Sequence, residues 1–356
     1  MKRLRIILLF VAAWATFVSC NPYKIDIPHY DYEEEKDKPG PGGDNEGETV
    51  ENPVQYPEPG VAKEKTLKTT GLFRETKIKD GITLYSFEKQ KEDITGTYQT
   101  VFALEVDLNN EAYKVNFLVA QNDTVSATGK RYKAIAAINA CYEQDAIYCR
   151  SNGHNYSEVS LDPDHLRFWK HEAAIVGDGV RKVGFVYGSK GAKNIREGGI
   201  QAIDIYKSLK EKNIFASAPM LIDDYDPVGT RFVPEFYTQA DFNKLDAEDY
   251  RHHQGVRHPR VAVALTEDND LLFVVVDGRF TGKAEGMSAK ELTNFLVKHF
   301  NPRWAINMDG GGSSTLYIQG HGDPLNNVLN YPCDNKRWDH YGQRARPTAF
   351  LVQYDE

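Results

Sequence analysis

The sequence predicts an α+β fold: a mixed, strand-rich sheet core with a few covering helices. Three observations predict it. Several runs alternate apolar and polar residues at the strand period, one segment carries a full helix-start signature, and that helix lies between two apolar strands. Ile82-Thr83-Leu84-Tyr85-Ser86-Phe87 alternates, as does part of Thr100–Val106, and Tyr113–Val119 is a similar run after the Asn109-Asn110 turn signal. A helix is expected near Ile200–Leu209. Arg260–Leu265 and Leu271–Val276 flank Glu267-Asp268-Asn269-Asp270, a polar loop of hairpin length. Leu271–Val276 is continuously apolar, which predicts a strand buried on both faces.

The clearest helix starts at Ser288. Ser288 and Glu291 form a Ser-x-x-Glu capping box, with Met287 and Leu292 at the staple positions. Ala289, Leu292, Phe295, Leu296 and His299 then share one helical face. Asn301-Pro302 ends the helix and Trp304–Met308 continues as an apolar strand, so strand, helix and strand make a crossover unit.

Ahead of this domain the composition changes twice. Residues 1–20 carry Lys2, Arg3 and Arg5 before an apolar run, Ile6–Val18, too short for a bilayer core of roughly 30 Å. The run ends at Phe17-Val18-Ser19-Cys20, which resembles the lipobox of bacterial lipoproteins. The resemblance implies lipidation at Cys20, export, and a membrane-anchored protein of the periplasm or cell surface. Residues 21–69 are acidic and rich in Pro and Gly, as in Glu33-Glu34-Glu35 and Pro39-Gly40-Pro41-Gly42-Gly43, and are expected to form a solvated tether. The folded domain is then residues 70–356.

Net charge is −8, and most of it lies in the tether. The remaining domain is nearly neutral and lacks the basic excess that nucleic-acid binding requires. Cys141, Cys149 and Cys333 fit neither a Cys-x-x-Cys redox pair nor a zinc site. Cys141 and Cys149 are spaced to close a short loop; at least one thiol of the three stays free.

The chemistry concentrates in Asn307-Met308-Asp309-Gly310-Gly311-Gly312-Ser313-Ser314-Thr315. An apolar strand delivers an Asn and an Asp to its end, and three glycines let the backbone turn and present N–H groups to an anion. Gly-Lys-Ser/Thr is absent, which excludes a nucleotide-binding P-loop, and neither serine lies in Gly-x-Ser-x-Gly.

The segment Pro259–Gly320 resembles the core of the phosphodiester glycosidases. The resemblance rests on Pro259-Arg260, Val274-Val275-Val276-Asp277-Gly278-Arg279, the Ser288 helix and Ala305–Ser314, in that order over about sixty residues. Ala137-Ile138-Asn139-Ala140 resembles a second family element, although Cys141-Tyr142-Glu143 departs from the glycine and aromatic pair usual there. The resemblance implies cleavage of a sugar-1-phosphodiester to free sugar and phosphomonoester. Asp309 is the first candidate catalytic carboxylate and Asp277 the second. Arg260 would meet the phosphodiester charge, with Gly310, Gly311, Gly312, Ser313 and Ser314 sharing it. Asn139 and Asn307 would position sugar or phosphate oxygens, and Arg279 would stand at the rim. Arg346, before Pro347, ranks below Arg260.

His252-His253 and His258 lack the spacing of a helical zinc motif and are expected in a loop. No cofactor is firmly implied. A divalent cation is chemically compatible with a phosphate substrate, but no Asp-rich loop of calcium type appears. Trp169, Tyr142, Tyr148 and Tyr156 are aromatic candidates near the Asn139 element. Two other functions stay open: a non-catalytic phosphoglycan-binding surface lipoprotein, and a phosphodiesterase cleaving the P–O bond.

Overall fold

The computed structural model describes residues 53–57, 71–142, 147–157, 167–231 and 237–355. The signal-like segment with Cys20 and most of the expected tether lie outside them. In chain order the first elements are β1 (Arg74–Lys79), β2 (Ile82–Glu92), β3 (Thr97–Asp107), β4 (Tyr113–Asp123), α1 (Val125–Arg131) and β5 (Ala136–Asn139). There follow β6 (Cys149–Ser151), β7 (His154–Asn155), β8 (Ala173–Gly177), β9 (Val183–Val186), α2 (Ile195–Ser208), β10 (Asn213–Ser217) and β11 (Met220–Ile222). Two short helices, α3 (Gln239–Phe242) and α4 (Tyr250–Gly255), lead to β12 (Arg260–Leu265), β13 (Asp270–Val276) and α5 (Ala289–His299). The last strands are β14 (Trp304–Met308), β15 (Leu316–Ile318) and β16 (Arg346–Tyr354).

The strands form a seven-stranded sheet, β1-β2-β3-β13-β12-β14-β11, a five-stranded sheet, β7-β6-β10-β8-β9, and a four-stranded sheet, β15-β5-β16-β4. The α+β class is as the sequence predicts. The crossover through α5 is present, and β13 and β14 run the same way. β12 lies between them, however, so every ladder among the described strands is antiparallel.

The central strands of the seven-stranded sheet, β12, β13 and β14, are buried on both faces. Leu271, Phe273 and Val275 join Phe117, Phe215 and Phe350 in a core shared with the two smaller sheets. Leu272, Val274 and Val276 turn the other way, onto Leu292, Phe295 and Leu296 of α5. Each such side chain contributes about 1.5–3 kcal/mol when fully buried, which is why no polar residue follows Asp270 in β13. Helix α5 begins as expected, with both capping-box bonds between Ser288 and Glu291 in place. The outer faces of the smaller sheets are covered by α2, through Ala202 and Tyr206, and by α1, through Val125.

One part of the expected tether belongs to the domain. Gln55 exchanges two backbone hydrogen bonds with Phe185 (2.8 and 2.9 Å). Its side chain donates to Asp223 (3.1 Å) and accepts from the Trp304 indole. Val54 is buried beside it. Pro53–Pro57 thus extend the edge of the five-stranded sheet, because their backbone finds ladder partners there that solvent would otherwise supply.

Candidate active site

Antiparallel register brings the signature residues to one end of the molecule. Arg260 faces Val276 and Val261 faces Met308, so the start of β12 adjoins the ends of β13 and β14. In the four-stranded sheet Asn139 faces Ala349, which sets the end of β5 beside the start of β16. The two sheets are stitched together there: the Asp309 amide donates to the Ala140 carbonyl (3.0 Å).

Two buried asparagines hold the glycine loop. Asn139 donates from Nδ2 to the Asp309 carbonyl (2.7 Å), and its Oδ1 accepts from the Thr315 amide (3.0 Å). Asn330 donates to the Ser314 carbonyl (2.9 Å) and accepts from the Leu316 amide (2.8 Å). Between these clamps Gly310 enters in extended conformation and Gly311–Ser313 make one 3-10 turn. Gly311 has φ +63°, a conformation that side chains disfavour. At Gly312 a Cβ would come within 2.8 Å of an Arg344 nitrogen, so the bare backbone admits the Arg344–Asp334 ion pair (2.5 Å).

Charge gathers on this loop. Asp309 is buried, and its Oδ2 meets Arg346 Nε at 2.7 Å. The same Nε donates to Ser313 Oγ (2.7 Å). Arg279 lies beside Gly311, where a Cβ would be 3.3 Å from its guanidinium. It also reaches His258 Nδ1 (3.4 Å) and Cys333 Sγ (3.6 Å). Burial, with Arg260 and Arg279 nearby, pushes His258 down to about 3, so this ring is neutral and accepts. The hydroxyls of Ser314 and Thr315 and the Oδ1 of Asn307 are buried with no protein partner among the described residues. A strong cation, a carboxylate and several uncommitted polar atoms are the groups a charged, hydroxylated ligand needs.

Three expectations are corrected. Arg260 is not exposed as an anion contact should be: it is fully buried, and three of its five N–H donors go to the carbonyls of Met287 (2.9 Å), His253 (2.6 Å) and Val256 (2.9 Å). The His253 and Val256 carbonyls lie at the end of α4, where helix carbonyls lack partners, and Arg260 caps them. Burial brings its guanidinium down to about 10. Asp277 has no face toward a ligand either. It is fully buried and accepts from Asn330 Nδ2 (2.8 Å) and the Tyr331 amide (3.0 Å), so it orients Asn330 and, through it, the glycine loop. The glycine amides also form less of an anion nest than expected. Gly311 donates to the Pro259 carbonyl (2.9 Å), while Ser313 and Ser314 donate back to Gly310 and Gly311 (3.2 and 3.3 Å).

The histidine segment, expected as a loop, is partly helix α4. His253 packs on Trp169, with ring centroids 4.8 Å apart, and its Nε2 lies 2.7 Å from Tyr142 Oη. Among the described residues no group of three or more His, Cys, Asp or Glu side chains is arranged to hold a metal ion. Cys141, Cys149 and Cys333 are buried free thiols.

The family model for phosphodiester glycosidases matches residues 132–353, which include both clamps and the whole glycine loop. The chain belongs to the phosphodiester glycosidase family. It is 27% identical over 229 residues to the SPbeta prophage-derived uncharacterized protein YomE of Bacillus subtilis (strain 168). That stretch covers 62% of this chain and 30% of the relative, so the chain spans less than a third of that protein's length. The fold is similar to the zebrafish N-acetylglucosamine-1-phosphodiester alpha-N-acetylglucosaminidase catalytic domain auto-inhibited by its pro-peptide. The TM-score is 0.50 at 18% identity, over 82% of this chain and 87% of that one. A hypothetical protein from Synechocystis is similar at a TM-score of 0.49 and 14% identity, over 79% of this chain and 63% of that one.

In this phosphodiester glycosidase domain, Asn330, Arg344 and Asp334 join the loop without having been expected there, and Arg346, expected to rank below Arg260, is the arginine that meets Asp309. Asn330 carried a signal of a kind: a buried Asn between Leu329 and Tyr331 has no reason to be polar unless it clamps backbone. Arg346 offered less, since only the antiparallel pairing of β16 with β4 and β5 brings its strand start to the loop.

Proposed function

We propose that this domain hydrolyses a glycosyl-1-phosphodiester to free sugar and phosphomonoester. The observation that carries the reading is the Asp309 carboxylate at a strand end, 2.7 Å from Arg346 and next to a loop with unsatisfied hydroxyls. Asp309 would act at the anomeric carbon, directly or by taking a proton from water. The C–O bond breaks and its electron pair leaves with the phosphate. Phosphate leaves well without strong acid assistance, so Arg346 and Arg279 would stabilise the charge that develops on it. Asp277 falls to a supporting role, since its carboxylate is spent on Asn330 and Tyr331.

The test uses the domain from Pro53 onward with the methyl phosphodiester of N-acetylglucosamine-α-1-phosphate, following reducing sugar and phosphomonoester. Asp309→Asn is expected to lower turnover by about 10³-fold or more with unchanged melting. Retained turnover removes Asp309 from the chemistry. Heavy-oxygen water reports the bond broken: label in the sugar supports the glycosidase, and label in the phosphate supports P–O cleavage.

A second reading is favoured by the Arg346–Asp309 contact itself, which already neutralises the carboxylate: a phosphoglycan-binding protein without turnover. Calorimetric binding unaffected by Asp309→Asn selects it. We also infer export and membrane anchoring through a lipidated Cys20, from the lipobox-like segment. Mass spectrometry of the mature N-terminus tests this, and an unmodified Cys20 overturns it.

A further inference from the structure

Asn307 lies in β14, two residues before Asp309 at the strand's end. Its side chain is fully buried, and its Nδ2 points at three oxygens: Tyr142 Oη (2.9 Å), the Ala218 carbonyl (2.9 Å) and the Met308 carbonyl (2.8 Å). Turning the amide over would set its oxygen against two carbonyls, so the hydrogen-bond pattern fixes its orientation. Oδ1 is then left buried with no protein donor among the described residues. A buried acceptor two residues before a candidate catalytic carboxylate is a place for a ligand's donor.

What holds the amide this way is a relay that the proposed chemistry does not use. Tyr142 Oη, besides receiving Asn307, lies 2.9 Å from the Ala218 carbonyl and 2.7 Å from His253 Nε2. A phenol has one hydrogen and two lone pairs: with the His253 proton on Nε2, Tyr142 donates to Ala218 and accepts from His253 and Asn307, which saturates it. His253 is kept neutral by burial and by Arg260, His258 and Lys170 around it. Its ring is wedged against Trp169 and Tyr142, and its carbonyl accepts from Arg260. The relay passes through Cys141-Tyr142, the segment where this chain departs from the family pattern.

We propose that Tyr142 and His253 are positioning residues that lock the Asn307 amide so that Oδ1 accepts from a hydroxyl or amide N–H of the bound sugar. The proposal rests on reading the Asp309 pocket as a sugar-phosphate site. A residue that only packed the core would not act through Asn307, and that difference is measurable.

The experiment is a double-mutant cycle. Tyr142→Phe, His253→Phe, His253→Gln and Asn307→Ala are made singly, and the first two also in the Asn307→Ala background, each checked by thermal melting. Two readouts are taken: kcat and KM on the methyl phosphodiester, and the calorimetric Kd for N-acetylglucosamine 1-phosphate. Tyr142→Phe and His253→Phe are expected to raise KM and Kd on the order of tenfold, with kcat changed less. His253→Gln should recover most of the loss, and neither Phe variant should add to Asn307→Ala. Additive effects, or an unchanged Kd in Tyr142→Phe, overturn the proposal while turnover leaves the site reading intact. Coupled effects on Kd without any turnover support the relay and overturn hydrolysis. A wild type that neither turns over nor binds overturns both.

Discussion

Arg260 and Arg346 both open strands at the same end of the molecule, and they do opposite things. Arg260 is sealed under α4 and gives three of its five donors to backbone carbonyls. Arg346 stays partly open and meets a carboxylate and a serine hydroxyl. Both sites hold the same guanidinium, so the difference lies in what surrounds it. A helix end that leaves carbonyls unpaired absorbs an arginine as structure, whereas a glycine loop with its own clamps leaves one to pair with side chains at its edge.

The comparison can be broken by exchanging the readouts. Arg260→Ala removes a donor from three backbone carbonyls, of which that of Met287 keeps the His258 amide (3.2 Å), and should cost on the order of 3 kcal/mol of stability in denaturant unfolding. Loss of activity with unchanged stability in that variant would return Arg260 to the site. Arg346→Ala should do the reverse, lowering kcat/KM about 10²-fold with little change in unfolding. Equal damage to stability and rate would make it another clamp.

A second contrast, between Asp277 and Asp309, is sharpened by pH. Burial lifts Asp277 from 3.8 to about 7, outweighing the donors of Asn330 and Tyr331. Its folded value lies above its unfolded one, so between about pH 4 and 7 the folded state holds more protons. Its contribution to stability therefore falls as pH rises through that window. Asp277→Asn removes the titration, and its melting temperature relative to wild type should climb by several degrees from about pH 5 to pH 8. A constant offset would show that Asp277 does not titrate there. The smallest effect is local: Ser288→Ala should cost about 1 kcal/mol by removing the α5 cap, with no change in KM.

Legibility followed sequence separation. The bounds of β12 and β14 and the Ser288 cap were readable because each depends on neighbours a few residues away. The loop Asp309–Thr315 was readable as a site because glycines, hydroxyls and an acid are adjacent in the chain. Arg260 misled although Val256 and His253 lie only 4 and 7 residues before it, because its burial under α4 is set by packing and has no local pattern. Tyr142 and His253 lie 111 residues apart and Asn139 and Asp309 170 apart, so neither pairing had a local signal.

By itself the sequence determined the alternation of its strands, the start of α5, the near-neutral domain after an acidic segment, and an Asp-Gly-Gly-Gly-Ser-Ser turn following an apolar strand. Those rest on backbone preference and on solvent, which act within a few residues. Only the tertiary structure decided which polar groups are spent and which remain available. That allocation is set by burial: a donor or acceptor shut away from water takes whatever partner the packing of distant strands brings to it. At Arg260 and Asp277 the packing supplied partners, and at Asn307 it left one oxygen waiting.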